Sequence, residues 1–393
     1  MPRQPLRMID ANLNRSSEGL RVLEDVARFL LNDAGLSQQL RAIRHNLAEE
    51  TKSLSTKLLS QRDSEHDVGH PHVPCQIRGA EGRASFSLVP RQIKGGVDEG
   101  HPVIPLPSRE RDIKMETASP KDLADLVRAN AKRVEESLRV MEELAKLPEI
   151  NSLLNSAKFE QARFTLYALE RELLSRVLRQ DKIKRIGSLY VILDRQVLAG
   201  RDELATASQI IEGGARVIQL RDKQSNKREL LPIAQKLKDL CAKAGILFII
   251  NDYLDIALAI NADGLHIGQG DLPLPTIRKE LPIDKIIGCS VSTVSQAIRA
   301  QEEGADYIAV GSIFPTTTKT DATVVGIDRL KEVKEKVSCP LVAIGGINEE
   351  NVGRVLAAGA DSIAVISAVL GKEDIKGAVE RLIAETSRKC QSQ

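Results

Sequence analysis

The stretch EGGARVIQLRDK, residues 212–223, contains the unit from which the second half of the chain is built. A glycine-rich helix end is followed by a short apolar run and then by charged residues. Glycine often ends a helix, because it adopts the left-handed backbone conformation without strain. The same arrangement recurs after EEGA at 302–305 and AAGA at 357–360. The pattern predicts alternating helices and parallel strands.

Apolar runs of this kind alternate with helical segments from about residue 183 onward. They are SLYVILD at 188, ARVIQLRD at 215, LFIIND at 247, GLHIG at 264, IIGCS at 286, YIAVGSI at 307, PLVAIGG at 340 and SIAVIS at 362. Eight strand–helix units predict a (β/α)8 TIM barrel over residues 181–393. An open doubly wound sheet is the structural alternative, but it rarely contains eight such regular units.

The first half of the chain has helical periodicity instead, over residues 10 to about 60 and 120 to about 180. A segment rich in Gly, Pro and His, at about 62–118, separates the two helical regions. Residues 1–180 are therefore predicted to form an all-α domain. It contains an internal repeat, because NLNRSSEGLRVLED from Asn12 matches NAKRVEESLRVMEE from Asn130, an offset of 130 − 12 = 118 residues.

The repeat has two interpretations. One is a duplicated helical hairpin with Leu20, Leu23, Ala27 and Leu30 as its buried seam, whose Arg and Glu form surface ion pairs at i, i+3. The other is a paired anion site, because like-spaced Arg and Asn recur in both copies. Charge ladders on helices are common, which favours the first interpretation.

Charge and composition exclude several classes of protein. The chain has 56 basic and 54 acidic residues, a net charge of +2, no Trp and only 3% aromatic residues. Neither the basic excess nor the stacking side chains of a nucleic-acid-binding protein are present. The amino terminus has no apolar signal region and no stretch reaches transmembrane length. Five scattered cysteines without a C-x-x-C pair predict a reduced, cytoplasmic protein.

Polar residues at the ends of the predicted strands mark the candidate site, because a TIM barrel has its active site at that end. Period-two alternation places Gln219, Arg221 and Lys223 on the inward face after strand two. These side chains predict an anion clamp, since three inward polar positions are costly to bury without a ligand. An ordinary salt-bridged strand end is the alternative.

Carboxylates follow the next two strands. Strand three ends with Asn251 and Asp252, and Asp271 lies in the loop after strand four. Two carboxylates near an anion clamp predict a Mg²⁺ shared with substrate phosphates, although Asp271 is also a candidate helix N-cap. His266 is expected to be a packed, hydrogen-bonded histidine. Ser290 ends strand five, where its hydroxyl either binds ligand or caps the strand.

The last three strands predict a second anion site. Strand six is followed by Thr316, Thr317, Thr318 and Lys319, strand seven ends with Gly345 and Gly346, and strand eight with Ile366 and Ser367. Glycine allows backbone N–H groups to approach a ligand closely, and the loops after strands seven and eight are the usual phosphate site of this fold. Lys319 is assigned to the first anion site and the threonines to the second.

Other site motifs are absent from the sequence. It has no G-x-G-x-x-G, no P-loop, no H-E-x-x-H and no C-x-x-C. His66, His70, His72 and Cys75 form a cluster in the loop-rich segment, but their irregular spacing is a poor match to a zinc site.

These motifs, QLRDK, IND, ADGLHIGQGDLP, GADYIAVGSIFPTTTK and AIGGI…AGADSIAVISA, occur in an order that closely resembles the thiamine-phosphate synthase family. The resemblance covers about 185–390. It implies that Gln219, Arg221, Lys223, Asn251, Ser290 and Lys319 bind hydroxymethylpyrimidine diphosphate, with Arg221, Lys223, Ser290 and Lys319 also catalytic. It further implies Mg²⁺ on Asp252 and Asp271, and thiazole phosphate, or its carboxylated form, on Thr316, Thr317, Thr318, Gly346, Ile366 and Ser367. Ser292 stands where many members have a histidine.

The implied reaction joins the two substrates into thiamine phosphate and expels diphosphate, through a pyrimidinylmethyl cation. DANLNRSSEGLRVLEDVARF, RAIRH and DVG resemble the helical extension of some bacterial members, which implies either a hydroxymethylpyrimidine-phosphate kinase or an assembly or substrate-handling module. The rival hypotheses for the barrel are another phosphate-binding enzyme, an aldolase or isomerase, and a non-catalytic phosphate-binding module. The expected partners are small-molecule substrates, with neither nucleic acid nor membrane, and a homo-oligomer is compatible with the sequence.

Overall fold

The computed structural model describes residues 3–60, 120–187, 189–316 and 323–390 of the chain. The chain divides into two compact units, Met1–Leu173 and Leu174–Gln393. This division falls inside one long helix, as does the predicted domain boundary at 180/181, which stays a prediction.

The described residues of the first unit are mainly helical. Its helices are α1 (Arg3–Asp25), continued by a π-helical turn (Val26–Leu30), α2 (Ala34–Thr51), a 3-10 turn (Lys52–Leu54), α3 (Ser55–Leu59), α4 (Pro120–Ala145) and the first part of α5 (Ser156–Ile186). The two copies of the repeat are α1 and α4, and they pack against each other.

The contact between α1 and α4 is close. A Cβ added at Gly19 would lie 2.5 Å from Val134 Cγ2 and 3.1 Å from the Asn130 carbonyl oxygen. Leu20, Leu23 and Ala27 are fully buried, and Leu30 is half-buried. The buried seam predicted for a duplicated hairpin is therefore confirmed.

The repeated acidic residues are buried rather than exposed. Glu24 accepts hydrogen bonds from Arg41 and Arg44 of α2, and Glu142, its counterpart in α4, accepts one from Arg163 of α5 at 3.0 Å. The side chains of Glu24 and Glu142 are only 8% and 4% exposed. The expected i, i+3 ion pair occurs in α4 between Arg139 and Glu142, at 3.0 Å. The two repeated carboxylates are buried, however, and each is also neutralised by the second helix of its hairpin, an arrangement that favours a structural role.

The second unit is a closed barrel of eight parallel strands in sequence order. They are β1 (Tyr190–Asp194), β2 (Val217–Arg221), β3 (Leu247–Asn251), β4 (Gly264–Ile267), β5 (Ile286–Val291), β6 (Tyr307–Val310), β7 (Leu341–Ile344) and β8 (Ser362–Val365). Seven lie within the predicted runs, and β5 extends one residue beyond its run, to Val291. The prediction of a TIM barrel is confirmed, and the open sheet is excluded.

Helices cover the outside of this barrel. They are α6 (Arg195–Leu198), α7 (Glu203–Glu212), α8 (Lys227–Lys243), α9 (Leu254–Ala259), α10 (Leu274–Glu280), α11 (Val294–Glu302), α12 (Gly326–Lys334), α13 (Val352–Ala357), α14 (Ser367–Leu370) and α15 (Ile375–Cys390). Gly214, which follows α7, has a φ of +96°, so the glycine-rich sequence ends this helix as predicted.

The interior of the barrel is filled by matching large side chains to glycines. Tyr307 faces Gly288 in the register of β5 and β6, and a Cβ at Gly288 would lie 2.0 Å from the Cζ atom of Tyr307. A Cβ at Gly264 would similarly lie 2.6 Å from Cγ1 of Ile286. These glycines leave the space that the tyrosine and isoleucine occupy.

The last part of α5 belongs to the barrel unit and closes its amino-terminal end. Ile186 is fully buried and packs in the same cluster as Tyr190, Val217 and other inward residues. Burying a side chain of this size contributes about 2 kcal/mol. Arg179 forms an ion pair with Asp306, with 3.1 Å between Nε and Oδ1, and Ser175 Oγ donates to the Ile283 carbonyl.

Within the described residues no helix is long and apolar enough to cross a membrane. Cys241, Cys289 and Cys339 are free thiols. The loop-rich segment at 62–118, with its His66, His70, His72 and Cys75 cluster, lies outside the described residues. The cytoplasmic location and the homo-oligomer stay predictions.

We expect Gly288→Ala to lower the free energy of unfolding by about 2–3 kcal/mol, because the new methyl overlaps the Tyr307 ring and the packed barrel cannot move it freely. Gly353→Ala, whose Cβ meets no atom within 4 Å, is the matched control and is expected to change stability by less than about 1 kcal/mol. Urea unfolding followed by circular dichroism measures both. Equal stability of the two variants would contradict the packing described here.

Candidate active site

The carboxyl ends of the parallel strands form one rim of the barrel, and the predicted site residues lie along it. Val217 packs in the interior cluster, so period-two alternation directs Gln219 and Arg221 inward as well. Gln219 is buried, and its side-chain nitrogen lies 3.4 Å from Asn251 Oδ1 on the neighbouring strand. The structure therefore brings these two amides together, as the sequence predicted.

Two reciprocal ion pairs join the ends of β1 and β2. Asp194 and Arg221 are partners in the strand register and form one ion pair. Arg195 and Asp222, the residues that directly follow the two strands, form the other, with 2.7 Å between Nη1 and Oδ2. Burial disfavours the Asp222 carboxylate, but hydrogen bonds from Ser225, Gln224 and Arg195 outweigh it and lower the pKa of Asp222. The guanidinium of Arg221 is thus held at the rim before any ligand binds.

Lys223 and the two predicted metal ligands form a second charged group at the rim. Lys223 donates to Asp252, whose backbone has the left-handed φ of +63° and whose N–H bonds to the His266 carbonyl at 2.8 Å. Asp271 accepts the Gly268 N–H at 2.7 Å, and its carboxyl group lies beside that of Asp252. Burial raises the pKa of Asp271 and the Asp252 carboxylate raises it further. Asp271 is not the N-cap of the following helix, which is Pro273 without a side-chain hydrogen bond, so that alternative is wrong. Asp271 faces a second carboxylate instead.

Ser290 ends β5 beside a buried histidine. His266 Nε2 lies 2.8 Å from Ser290 Oγ, and Gln269 donates to the Ser290 carbonyl at 2.8 Å. Burial lowers the pKa of His266 to about 4. The histidine is neutral near pH 7 and packed as predicted, and the Ser290 hydroxyl lies half-buried at the rim.

The loop after β6 lies directly on the glycines that follow β7. Phe314 N–H donates to the Gly345 carbonyl at 3.0 Å, and a Cβ at Gly346 would lie 2.4 Å from the Pro315 carbonyl oxygen. Gly346 therefore allows the chain carrying Thr316 to approach β7. Ile366 directly follows β8, and Ser367 is the first residue of α14. Thr317, Thr318 and Lys319 lie outside the described residues.

Asp194 was not singled out by sequence, although it is the inward partner of Arg221. The signal that predicts it is the same alternation used for β2, since Tyr190 and Ile192 pack inside the barrel and Asp194 continues that phase. Gln269 follows β4 in a glycine-rich loop, and no local pattern indicates its contact with Ser290.

Both halves of the chain are similar to known protein families. A family model described as thiamine monophosphate synthase matches residues 189–369, and the ThiD2 family model matches residues 7–81 and 108–172. A thiamine-phosphate synthase of Synechocystis is 34% identical over 382 residues, which are 97% of this chain and 96% of the relative. The Clostridium tetani thiamine-phosphate synthase is 49% identical over 195 residues, 50% of this chain and 93% of its own.

Among solved structures, a thiamine phosphate pyrophosphorylase from Pyrococcus furiosus is similar. It is 40% identical, covers 53% of this chain and 98% of its own, and has a TM-score of 0.49.

We expect Asp222→Asn to lower the free energy of unfolding at pH 7 by about 1–3 kcal/mol, since it removes the charge that pairs with Arg195. The folded state lowers the pKa of Asp222, so the stability it contributes is complete above the usual aspartate pKa of ~4 and is lost as pH falls below it. The difference between wild type and variant should be equal at pH 7 and pH 5 and smaller at pH 3.

Asp255→Asn, in an exposed pair with Lys227, is the control and is expected to change stability by less than about 0.5 kcal/mol. A difference between wild type and Asp222→Asn that grows on acidification would contradict the ion-pair assignment.

Proposed function

The chain belongs to the thiamine-phosphate synthase family, since a 34% identical member spans 97% of it, and from that premise we propose how its residues act. The enzyme is a transferase of thiamine biosynthesis. The thiazole nitrogen of thiazole phosphate forms a bond to the methylene carbon of hydroxymethylpyrimidine diphosphate. The C–O bond at that carbon breaks, and its electron pair leaves with diphosphate.

The observation that carries the proposal is the row of charged side chains at the ends of β2 and β3. A departing diphosphate gains negative charge, and cations fixed beside it stabilise that charge as it develops. Arg221 and Lys223 provide such cations, and ion pairs with Asp194 and Asp252 orient them. We assign the diphosphate to Arg221 and Lys223, with Gln219, Asn251 and Ser290 contacting the pyrimidine diphosphate and Lys319 as a further cation.

Asp252 and Asp271 fit a bound Mg²⁺. Their carboxyl groups lie close together, and the repulsion between them, which raises the pKa of Asp271, is one that a divalent cation relieves. No group of three or more His, Cys, Asp and Glu suited to a metal occurs in the described residues, but Mg²⁺ typically uses one or two carboxylates with substrate phosphates. When bound, the ion neutralises charge on the leaving diphosphate.

We assign the phosphate of the second substrate to the opposite side of the rim. The Gly346 backbone and the Thr316 segment lie close together, and Thr317, Thr318, Ile366 and Ser367 complete the assignment. Two separate anion sites suit a reaction that joins two phosphorylated molecules. The reaction requires that water be excluded from the rim, since water otherwise captures the pyrimidinylmethyl cation.

An aldolase that uses a Schiff base is the rival enzyme. That chemistry requires a neutral amine, whereas the Lys223 ammonium donates to Asp252 in an ion pair. Borohydride trapping of a substrate adduct on Lys223 would support the aldolase. A non-catalytic binding module would show no turnover of the two thiamine precursors.

We expect Asp252→Asn to reduce diphosphate release from the two precursors by roughly 100-fold, because one carboxylate ligand and the Lys223 partner are lost together. The Mg²⁺ concentration giving half-maximal activity should also rise. Asp255→Asn, which removes an exposed carboxylate from the helix after the same strand, is the matched control and should remain within about twofold of wild type. Full activity of Asp252→Asn would refute the metal assignment.

For the helical unit we propose phosphorylation of hydroxymethylpyrimidine phosphate, with assembly or substrate handling as the alternative. The ThiD2 match over residues 7–81 and 108–172 supports the proposal. The reaction would transfer the γ-phosphoryl group of ATP to the substrate phosphate and leave ADP. Its product is the diphosphate that the barrel consumes.

The full-length Asp252→Asn variant tests this activity, since its barrel is expected to leave the diphosphate unconsumed. Incubation with hydroxymethylpyrimidine phosphate and ATP should give ADP and the pyrimidine diphosphate in equal amounts by phosphorus NMR. Reactions without ATP are the control. Absence of both products would leave the assembly role as the remaining hypothesis.

A further inference from the structure

Four side chains from four strands form a chain of hydrogen bonds through the interior of the barrel. Tyr190 Oη lies 3.0 Å from Tyr307 Oη, which lies 3.0 Å from His266 Nδ1. His266 Nε2 lies 2.8 Å from Ser290 Oγ at the rim. The two tyrosines and the histidine are buried, at 2%, 0% and 8% exposed. The space for the Tyr307 ring is provided by Gly288.

The number of protons that this row of hydrogen bonds can hold decides which nitrogens of the His266 imidazole are protonated. Three atoms, Tyr190 Oη, Tyr307 Oη and His266 Nδ1, make two contacts, and each contact accommodates one proton. In the described part of the chain Tyr190 and Tyr307 have no other hydrogen-bond partner. A proton on Nδ1 would be the third, which would leave one buried N–H or O–H without an acceptor, at a cost in free energy.

An unprotonated Nδ1 leaves no buried proton without an acceptor. Tyr190 then donates to Tyr307, Tyr307 donates to Nδ1, and both buried hydroxyl protons are used. A doubly protonated imidazolium fails for the same reason as the Nδ1–H form, because it also places a third proton between two contacts. The neutral imidazole must therefore carry its proton on Nε2, which points at Ser290.

The consequence appears at the rim, where Ser290 accepts from His266 and keeps its own proton free. We infer that the Tyr190–Tyr307–His266 chain holds His266 as the Nε2–H tautomer, and that this makes the Ser290 hydroxyl a donor to the ligand. Tyr307 and His266 are positioning residues, since they act on the substrate only through Ser290. The choice of pyrimidine diphosphate as ligand rests on the proposed function, whereas the tautomer does not.

The selectivity that follows is for an acceptor. A phosphate oxygen or an unprotonated ring nitrogen of the ligand can accept the Ser290 hydroxyl proton, which the contact with His266 does not use. The pyrimidine diphosphate offers acceptors of both kinds. The buried chain thus sets the kind of ligand atom that binds at this point.

Two-bond ¹H–¹⁵N correlation NMR of the full-length protein with ¹⁵N-labelled histidine tests the tautomer directly. The resonances of His266 are identified among the six histidines by their absence in His266→Gln. We expect a protonated Nε2 and an unprotonated, hydrogen-bonded Nδ1, unchanged between pH 6 and pH 9. A protonated Nδ1, alone or with Nε2, would overturn the inference.

Two phenylalanine variants form a matched pair. Tyr307→Phe removes the donor to Nδ1, so the Nδ1 resonance should move toward that of a nitrogen without a hydrogen bond, and KM for the pyrimidine diphosphate should rise about tenfold. Tyr190→Phe removes a donor that does not reach His266, so the Nδ1 resonance should stay and KM should remain within about twofold. Thermal unfolding confirms that both variants are folded.

An Nδ1 resonance that does not respond to Tyr307→Phe, or that responds equally to both variants, would overturn the inference. Ser290→Ala separates it from the proposed function. If the spectrum shows the Nε2–H tautomer while Ser290→Ala keeps the wild-type KM, the tautomer is supported and the substrate contact of Ser290 is refuted.

Discussion

Closure of eight parallel strands into one narrow barrel is the constraint on which the rest of the structure depends. Every strand sends alternate side chains into the same interior, which cannot hold eight large ones in a layer. Gly288 leaves space for the side chain of Tyr307, and Gly264 leaves space for that of Ile286. Each strand can therefore direct alternate residues into the interior. The same phase delivers Gln219, Arg221 and Ser290 to the rim.

Two cations at the rim are each paired with a carboxylate before any ligand binds. Arg221 is paired with Asp194 and Lys223 with Asp252, so a simple anion must compete with two carboxylates that are already in place. Under the proposed assignment, a diphosphate with its divalent cation would replace the pair of Lys223 and Asp252 on both sides, because the cation would bind the Asp252 carboxylate while the diphosphate would bind the Lys223 ammonium. Such an exchange would favour a multiply charged ligand with its metal over phosphate alone.

Local pattern was enough to predict the strands and the inward phase of Gln219 and Arg221, because period-two alternation depends only on neighbours in the chain. Local pattern does not predict the partners of these residues. Asp194 meets Arg221 through the register of two strands, and the burial of Glu142 depends on an arginine of another helix. The amino-acid pattern of a charged helix face does not distinguish such a carboxylate from an exposed one. Lys319, central to the predicted site, lies outside the described residues.

Helix α5 has a consequence for how this protein can be dissected and recombined. Its last residues, 174–186, are part of the barrel, since Ile186 fills the amino-terminal end and Arg179 pairs with Asp306. A barrel excised at the residue where its first strand begins would therefore lack the side chain that fills its amino-terminal end. Asp306 would lose its ion pair with Arg179 and keep the one with Arg278. A barrel that is to be moved into another protein must include residues 174–186, so the segment to transfer begins before the first strand of the sheet.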